Sequence, residues 1–136
     1  MIVYNGTKST FVDDVRHGVI ETKILDLIRS KGLLGGQERE VESWHNSMQF
    51  MRNIIDDLDD DVQIAIEYNI PLTSKRVDFI IIGADEKDKD NIVIVELKQW
   101  SKAEKVDDDM HFSVRTYLAN EKRIVCHPSY QAYSYS

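Results

Sequence analysis

Arg76-Val77-Asp78-Phe79-Ile80-Ile81-Ile82 and Ile92-Val93-Ile94-Val95-Glu96-Leu97-Lys98-Gln99-Trp100 are the two runs on which the fold turns. Both are rich in β-branched residues and too short for typical helices, so both are expected as strands. The stretch between them, 83–91, is polar and without apolar periodicity. The pattern predicts a hairpin with a long solvated loop. Side chains alternate along a strand, which puts Glu96 and Lys98 on one face with Ile92 and Ile94. If the hairpin is symmetric about Lys87, Asp78 stands opposite Glu96, and directly opposed residues share a face. Two carboxylates and an ammonium would then converge. Like charges that close raise each other's pKa and are usually kept where a cation lies between them. Oxygen donors of this kind suit Mg²⁺ or Mn²⁺.

Outside these runs, the 136-residue chain is of single-domain length, with 42% hydrophobic and 30% charged residues, ordinary for a globular protein. It has no apolar run long enough to span a bilayer and no basic-then-apolar leader pattern, so no membrane partner is expected. The lone Cys126 allows no internal disulfide, which suits a reducing compartment. The formal net charge of -7 argues against a domain that grips nucleic acid by itself, because phosphate neutralisation supplies most of such affinity. Much of the acid sits in Asp56-Asp57, Asp59-Asp60-Asp61, 85–90 and Asp107-Asp108-Asp109, at expected loops and helix ends. That distribution fits a module handed its strand by a neighbouring basic domain.

In chain order, 1–5 suggests a short strand. Ser9 or Thr10 can cap a helix carrying Phe11, Val15, Val19, Ile20, Ile24, Leu27 and Ile28, with a break expected at Gly18 and an end near Gly32. A second helix, 38–58, carries Val41, Trp44, Met48, Met51, Ile55 and Leu58 as one stripe, with Glu38, Glu40 and Glu42 at its positive end. The strand at 62–71 ends at Pro71, and its Glu67 reads as a solvated residue or the partner of Arg76. Segment 101–110 lacks periodicity and reads as a mobile loop, and 111–118 as an edge strand. Asn120 with Glu121-Lys122 reads as a turn into Arg123-Ile124-Val125-Cys126, a core strand with Cys126 a small apolar filler. Pro128 then opens a helix with only about two turns left in the sequence, which suggests a fragment of a longer protein. His17, His45 and His111 show no metal-ligand spacing, and no GxxxxGK[ST] loop is present for ATP.

Asp78 followed by Glu96-Leu97-Lys98 on the next strand resembles the signature of the PD-(D/E)XK nuclease superfamily. Gln131 and Tyr135, four apart after a strand, are similar to the Gln-x-x-x-Tyr motif of its RecB-like members. Together with Glu40-Val41-Glu42-Ser43-Trp44, Glu67-Tyr68-Asn69-Ile70-Pro71 and His127-Pro128-Ser129-Tyr130-Gln131, the chain resembles the N-terminal nuclease-like domain of bacterial proteins that join it to a helicase-like P-loop ATPase. The resemblance covers residues 38–135.

It implies an α/β (α+β) fold, a restriction-endonuclease-like mixed β-sheet core flanked by helices, in one domain spanning 1–136 of a bacterial cytoplasmic protein. It implies metal-dependent hydrolysis of a nucleic-acid phosphodiester, DNA more than RNA, with a helicase-like ATPase in the same or another chain as partner. Asp78, Glu96 and, from the first core helix, Glu40 would hold Mg²⁺ or Mn²⁺, with the Leu97 carbonyl a further ligand, and Glu67, which matches the family's pattern, has a direct metal role as its alternative reading. Lys98 would orient the attacking water or stabilise the transition state. Gln131, Tyr135 and His127 would contact substrate or support the site. Taken singly, Asp78 is a strand residue paired with Arg76, Glu96 and Lys98 a surface salt bridge, Tyr135 a core residue and His127 a structural strand-end residue. The rival is a non-catalytic interaction module of the same fold, and a third possibility is an unrelated acidic binding protein.

Overall fold

A computed structural model describes residues 3–30, 32, 38–70, 72, 75–106, 112–118 and 121–135, without the side chains of 38–40 and 68. The fold is α+β, and the chain divides into two compact units, Met1–Val95 and Glu96–Ser136.

The first unit runs β1 (Tyr4–Thr7), α1 (Lys8–Arg16), α2 (Ile20–Ser30), α3 (Glu38–Ile54), β2 (Gln63–Asn69), β3 (Arg76–Ala84) and β4 (Asp90–Val95). Its sheet has the order β1-β2-β3-β4, antiparallel throughout. The second unit holds β5 (Ala103–Lys105), β6 (Ser113–Leu118), β7 (Glu121–Cys126) and α4 (Pro128–Tyr133), its sheet ordered β5-β6-β7 and also antiparallel. Where one mixed sheet is expected, the described strands thus form two antiparallel ones. From β2 to β4 and from β5 to β7 the links are short and can only turn a strand back on its neighbour, since a parallel pair needs a crossover of a dozen residues or more. β1 and β2, by contrast, are antiparallel across α1, α2 and α3.

Several expected elements stand with shifted ends. Thr7, rather than Ser9 or Thr10, caps α1 by accepting from the Thr10 backbone N–H at 3.2 Å. The break at Gly18 is present, with Gly18 at φ +66°, a left-handed turn that costs glycine little and separates α1 from α2. The stripe of α3 buries Trp44, Met48 and Met51, continued by Ile55 just past the helix, while Leu58 is exposed. The hairpin loop is shorter than expected. The strands run on to Ala84 and restart at Asp90, because the Asp85 carboxylate accepts from the N–H of Lys87 at 2.9 Å and of Lys89 at 3.1 Å. Those hydrogen bonds stabilise the charged form and hold the Asp85 pKa below the usual carboxylate range.

Three expectations about the second unit need correction. Segment 101–110 contains a strand, β5, whose polar residues pair with β6 through the backbone and so leave no apolar trace in the sequence. β6 is therefore central in its sheet rather than an edge. Cys126, at the end of β7, is exposed and not a core filler. Pro71 and His111 lie outside the described residues.

The core of the first unit centres on Phe11 of α1 and Phe79 of β3, both 0% exposed, with ring centroids 5.4 Å apart and planes at 76°. Burial of each ring contributes about 2–3 kcal/mol, and the edge-to-face contact adds about 0.5–1.5 kcal/mol. Tyr4 packs on Phe11 from β1 at 6.4 Å. Its hydroxyl donates to Asp14 at 2.8 Å, and Lys23 of α2 donates to both Asp14 oxygens at 2.6 and 2.8 Å. One polar knot thus joins β1, α1 and α2. Among the described residues no helix is long and apolar enough to cross a membrane.

Burial, then the neighbouring Asp14 carboxylate, pushes the Tyr4 phenol pKa well above its ordinary 10.0. A group whose pKa is raised on folding stabilises fully below its unfolded pKa and loses that contribution as pH rises toward the folded value. Stability measured by urea unfolding is therefore expected to fall more steeply above about pH 10 in the wild type than in Tyr4→Phe. Parallel alkaline profiles for the two proteins would contradict this.

Candidate active site

Asp78 lies within β3 and is half-buried. Alternation sets it on the face shared with Arg76 and Ile80, opposite to the face carrying Val77 and Phe79. The β3–β4 register pairs Ile82 with Ile92, Ile80 with Ile94 and Phe79 with Val95. Each of these pairs is centred on Lys87, the symmetry expected from the sequence. Asp78 comes one residue before Phe79 in the chain, and Glu96 one residue after Val95.

The strand expected to run to Trp100 stops at Val95, and 96–100 lie outside β4. The change coincides with the start of the second unit at Glu96. Glu96 and Lys98 nevertheless meet, as their two-residue spacing implies. Lys98 Nζ donates to Glu96 Oε1 at 2.6 Å, with the Glu96 side chain only 3% exposed. This is a partly shielded pair within one segment rather than a cross-strand surface bridge.

The remaining candidates divide. Glu40 belongs to α3, but its side chain lies outside the described residues. Gln131 and Tyr135 form a pair, Gln131 Nε2 donating to the Tyr135 hydroxyl at 2.7 Å. His127 is the N-cap of α4, its Nδ1 accepting from the Ser129 N–H at 3.1 Å, which requires the proton of the neutral ring to be on Nε2. Its backbone N–H donates to the Phe112 carbonyl at 2.7 Å. The structural role weighed for His127 is therefore observed. Among the described residues no three His, Cys, Asp or Glu side chains converge as metal ligands.

Glu67 is the residue that sequence reasoning undervalued. It is not solvated but 5% exposed, and its carboxylate binds Arg76 Nε at 2.5 Å and accepts from Trp44 Nε1 at 3.2 Å. Its backbone is left-handed, φ +54°, in the middle of a strand. For a residue with a Cβ that conformation costs about 1–2 kcal/mol and persists only where the surroundings over-determine it. The pairs on either side are Ile66 with Phe79 and Tyr68 with Val77, so the register sets Glu67 against Asp78. The Arg76 bond was legible: Asn69 pairs with Arg76, which makes Glu67 its diagonal cross-strand neighbour. The Trp44 bond and the turned backbone had no sequence signal.

Comparison of the chain with protein-family models, with curated proteins and with solved structures gives no match.

The Trp44 N–H satisfies one oxygen of a buried carboxylate, and hydrogen bonds to charged groups contribute about 1.5–3 kcal/mol. Trp44→Phe is expected to lower stability by about that amount in urea unfolding, beyond what small changes in packing cause. An unchanged urea midpoint would show that the bond contributes nothing.

Proposed function

We propose that this chain is the nuclease domain of a system that also uses a helicase-like ATPase, in the same or another chain, and that it hydrolyses nucleic-acid phosphodiesters, DNA more than RNA, with Mg²⁺ or Mn²⁺. In this proposal the fold is a variant of the restriction-endonuclease-like core, and Asp78, Glu96 and Lys98 work together. The observation that carries it is the β3–β4 register. Pairs centred on Lys87 end at Phe79 and Val95, and the two carboxylates of the Asp78…Glu96-Leu97-Lys98 pattern are the next residues along each strand's chain. The Glu96–Lys98 bond at 2.6 Å adds the close carboxylate and ammonium that the motif requires.

Asp78 and Glu96 offer hard carboxylate oxygens, a donor set that fits Mg²⁺ or Mn²⁺, and Glu40 and the Leu97 carbonyl complete the proposed set. When bound, the metal supplies a water of lowered pKa and offsets charge on the scissile phosphate. Lys98 does the rest of the electrostatic work. Its Nζ, held by Glu96 Oε1, is a compact donor for the attacking water or for a non-bridging phosphate oxygen as charge builds there. The pairing with Glu96 keeps the ammonium in place before substrate arrives.

Net acidity does not oppose this role once it is divided. Residues 1–95 contain 18 acidic and 11 basic side chains, and residues 96–136 contain 6 of each. The whole of the -7 belongs to the first unit, and the segment with Lys98 is neutral. One observation favours the rival, a non-catalytic module of the same fold: Glu96 with Lys98, and Gln131 with Tyr135, already engage one another.

The decision between them is an assay. End-labelled single-stranded and duplex DNA, incubated with the chain and Mn²⁺ or Mg²⁺, is expected to be cut, with the rate lowered about 10²-fold or more in Asp78→Asn and Lys98→Gln. Absence of cutting with both metals, or equal cutting by wild type and variants, would favour the non-catalytic module.

A further inference from the structure

Arg76 carries more than the neutralisation of Glu67 requires. Its Nε edge is bound by the buried Glu67 carboxylate, yet the side chain is 47% exposed. It stands two residues before Asp78 on β3, on the same face. Glu67 in turn is fixed from two sides, by Trp44 of α3 and by its left-handed backbone in β2. The result is a guanidinium held at its Nε on a side chain that is about half exposed, two residues from a carboxylate of the proposed site. It lies in a unit with seven more acidic than basic side chains, where an approaching phosphate otherwise meets repulsion.

We propose that Arg76 contacts a backbone phosphate of the nucleic-acid strand and that Glu67 is the positioning residue that aims it. This rests on the nuclease proposal and adds to it a substrate-binding residue. The chemistry follows from the fork of the guanidinium. Its Nε–H can be spent on a carboxylate while the terminal N–H groups still match two oxygens of a phosphate. A brace on one edge removes rotamer freedom from a long side chain before the strand binds, so less entropy is lost on contact. Bracing also explains why a strained glutamate is kept in a strand where most residues would sit without strain.

The test is the salt dependence of binding, which counts phosphate contacts. A fluorescein-labelled single-stranded oligodeoxynucleotide is titrated in Mg²⁺ with the Asp78→Asn protein, so that bound strand is not cut, over a series of KCl concentrations. Adding Arg76→Gln is expected to make the slope of log K against log salt shallower by about 0.7, the loss of one phosphate contact on a single strand. Because that change alone leaves Glu67 buried without its counter-charge, the paired Glu67→Gln/Arg76→Gln substitution is measured beside it and is expected to show the same shallower slope. Glu67→Gln alone keeps the cation but loosens its brace, so affinity should fall several-fold with the slope unchanged. A parental slope in both Arg76 variants, with only the melting temperature lowered, would reduce Arg76 to a counter-ion and overturn the inference while leaving the nuclease proposal standing. Failure of the parent to bind the strand at any salt concentration, together with no cutting by wild type, would overturn both.

Discussion

Glu67 takes a negative charge into a nearly solvent-free position, and three elements are arranged to meet its demands. An ionised carboxylate removed from water costs several kcal/mol unless it is paired and hydrogen-bonded, and removing one partner of such a pair costs about 3–5 kcal/mol. Arg76 from β3 supplies the charge and Trp44 from α3 the hydrogen bond, so helix and sheet are tied at one point. The apolar contacts of Phe11, Phe79, Met48 and Ile64 supply far more free energy, but they are non-directional. The carboxylate specifies which strand residue faces which helix residue. It also sits on the one left-handed residue within β2.

That constraint bears on the proposed function because it lies beside Asp78 in the register. Strain and buried charge cluster where a protein must hold a side chain against competing conformations, and here the held side chain is a half-exposed arginine. The unit that contains it is strongly acidic, so a phosphate chain approaching it needs local cations to outweigh a repulsive field. The proposed metal and the braced Arg76 are the two that the first unit is proposed to supply. Reliance on so few cations agrees with a module to which a partner delivers the strand.

Much of this was legible. β3 begins at Arg76 as expected, and its partner register follows from symmetry about Lys87 because the turn is polar and the strands apolar. The stripe of α3 and the break at Gly18 follow from period and from backbone freedom. Less was legible where local pattern does not determine pairing. β4 and the following segment share an alternating pattern through Trp100, yet the ladder ends at Val95 although β3 itself runs back to Arg76, so the pattern alone does not set where pairing stops. β5 is three residues long and polar, and only its neighbour makes it a strand. Cys126 sits on an alternating strand, but which face of a small sheet is covered is decided by packing at a distance. Among the site residues, the Glu96–Lys98 and Gln131–Tyr135 pairs follow from spacing, two and four residues. The Glu67 knot does not, because a helix residue 23 positions away completes it.

The proposed chemistry stands or falls on whether the carboxylates hold a cation. The most direct measurement is calorimetric titration of the chain with Mn²⁺, in wild type and in Asp78→Asn. Binding heat in the wild type that disappears in Asp78→Asn is the expected result. No heat in either protein, or the same heat in both, would contradict a metal site built on Asp78.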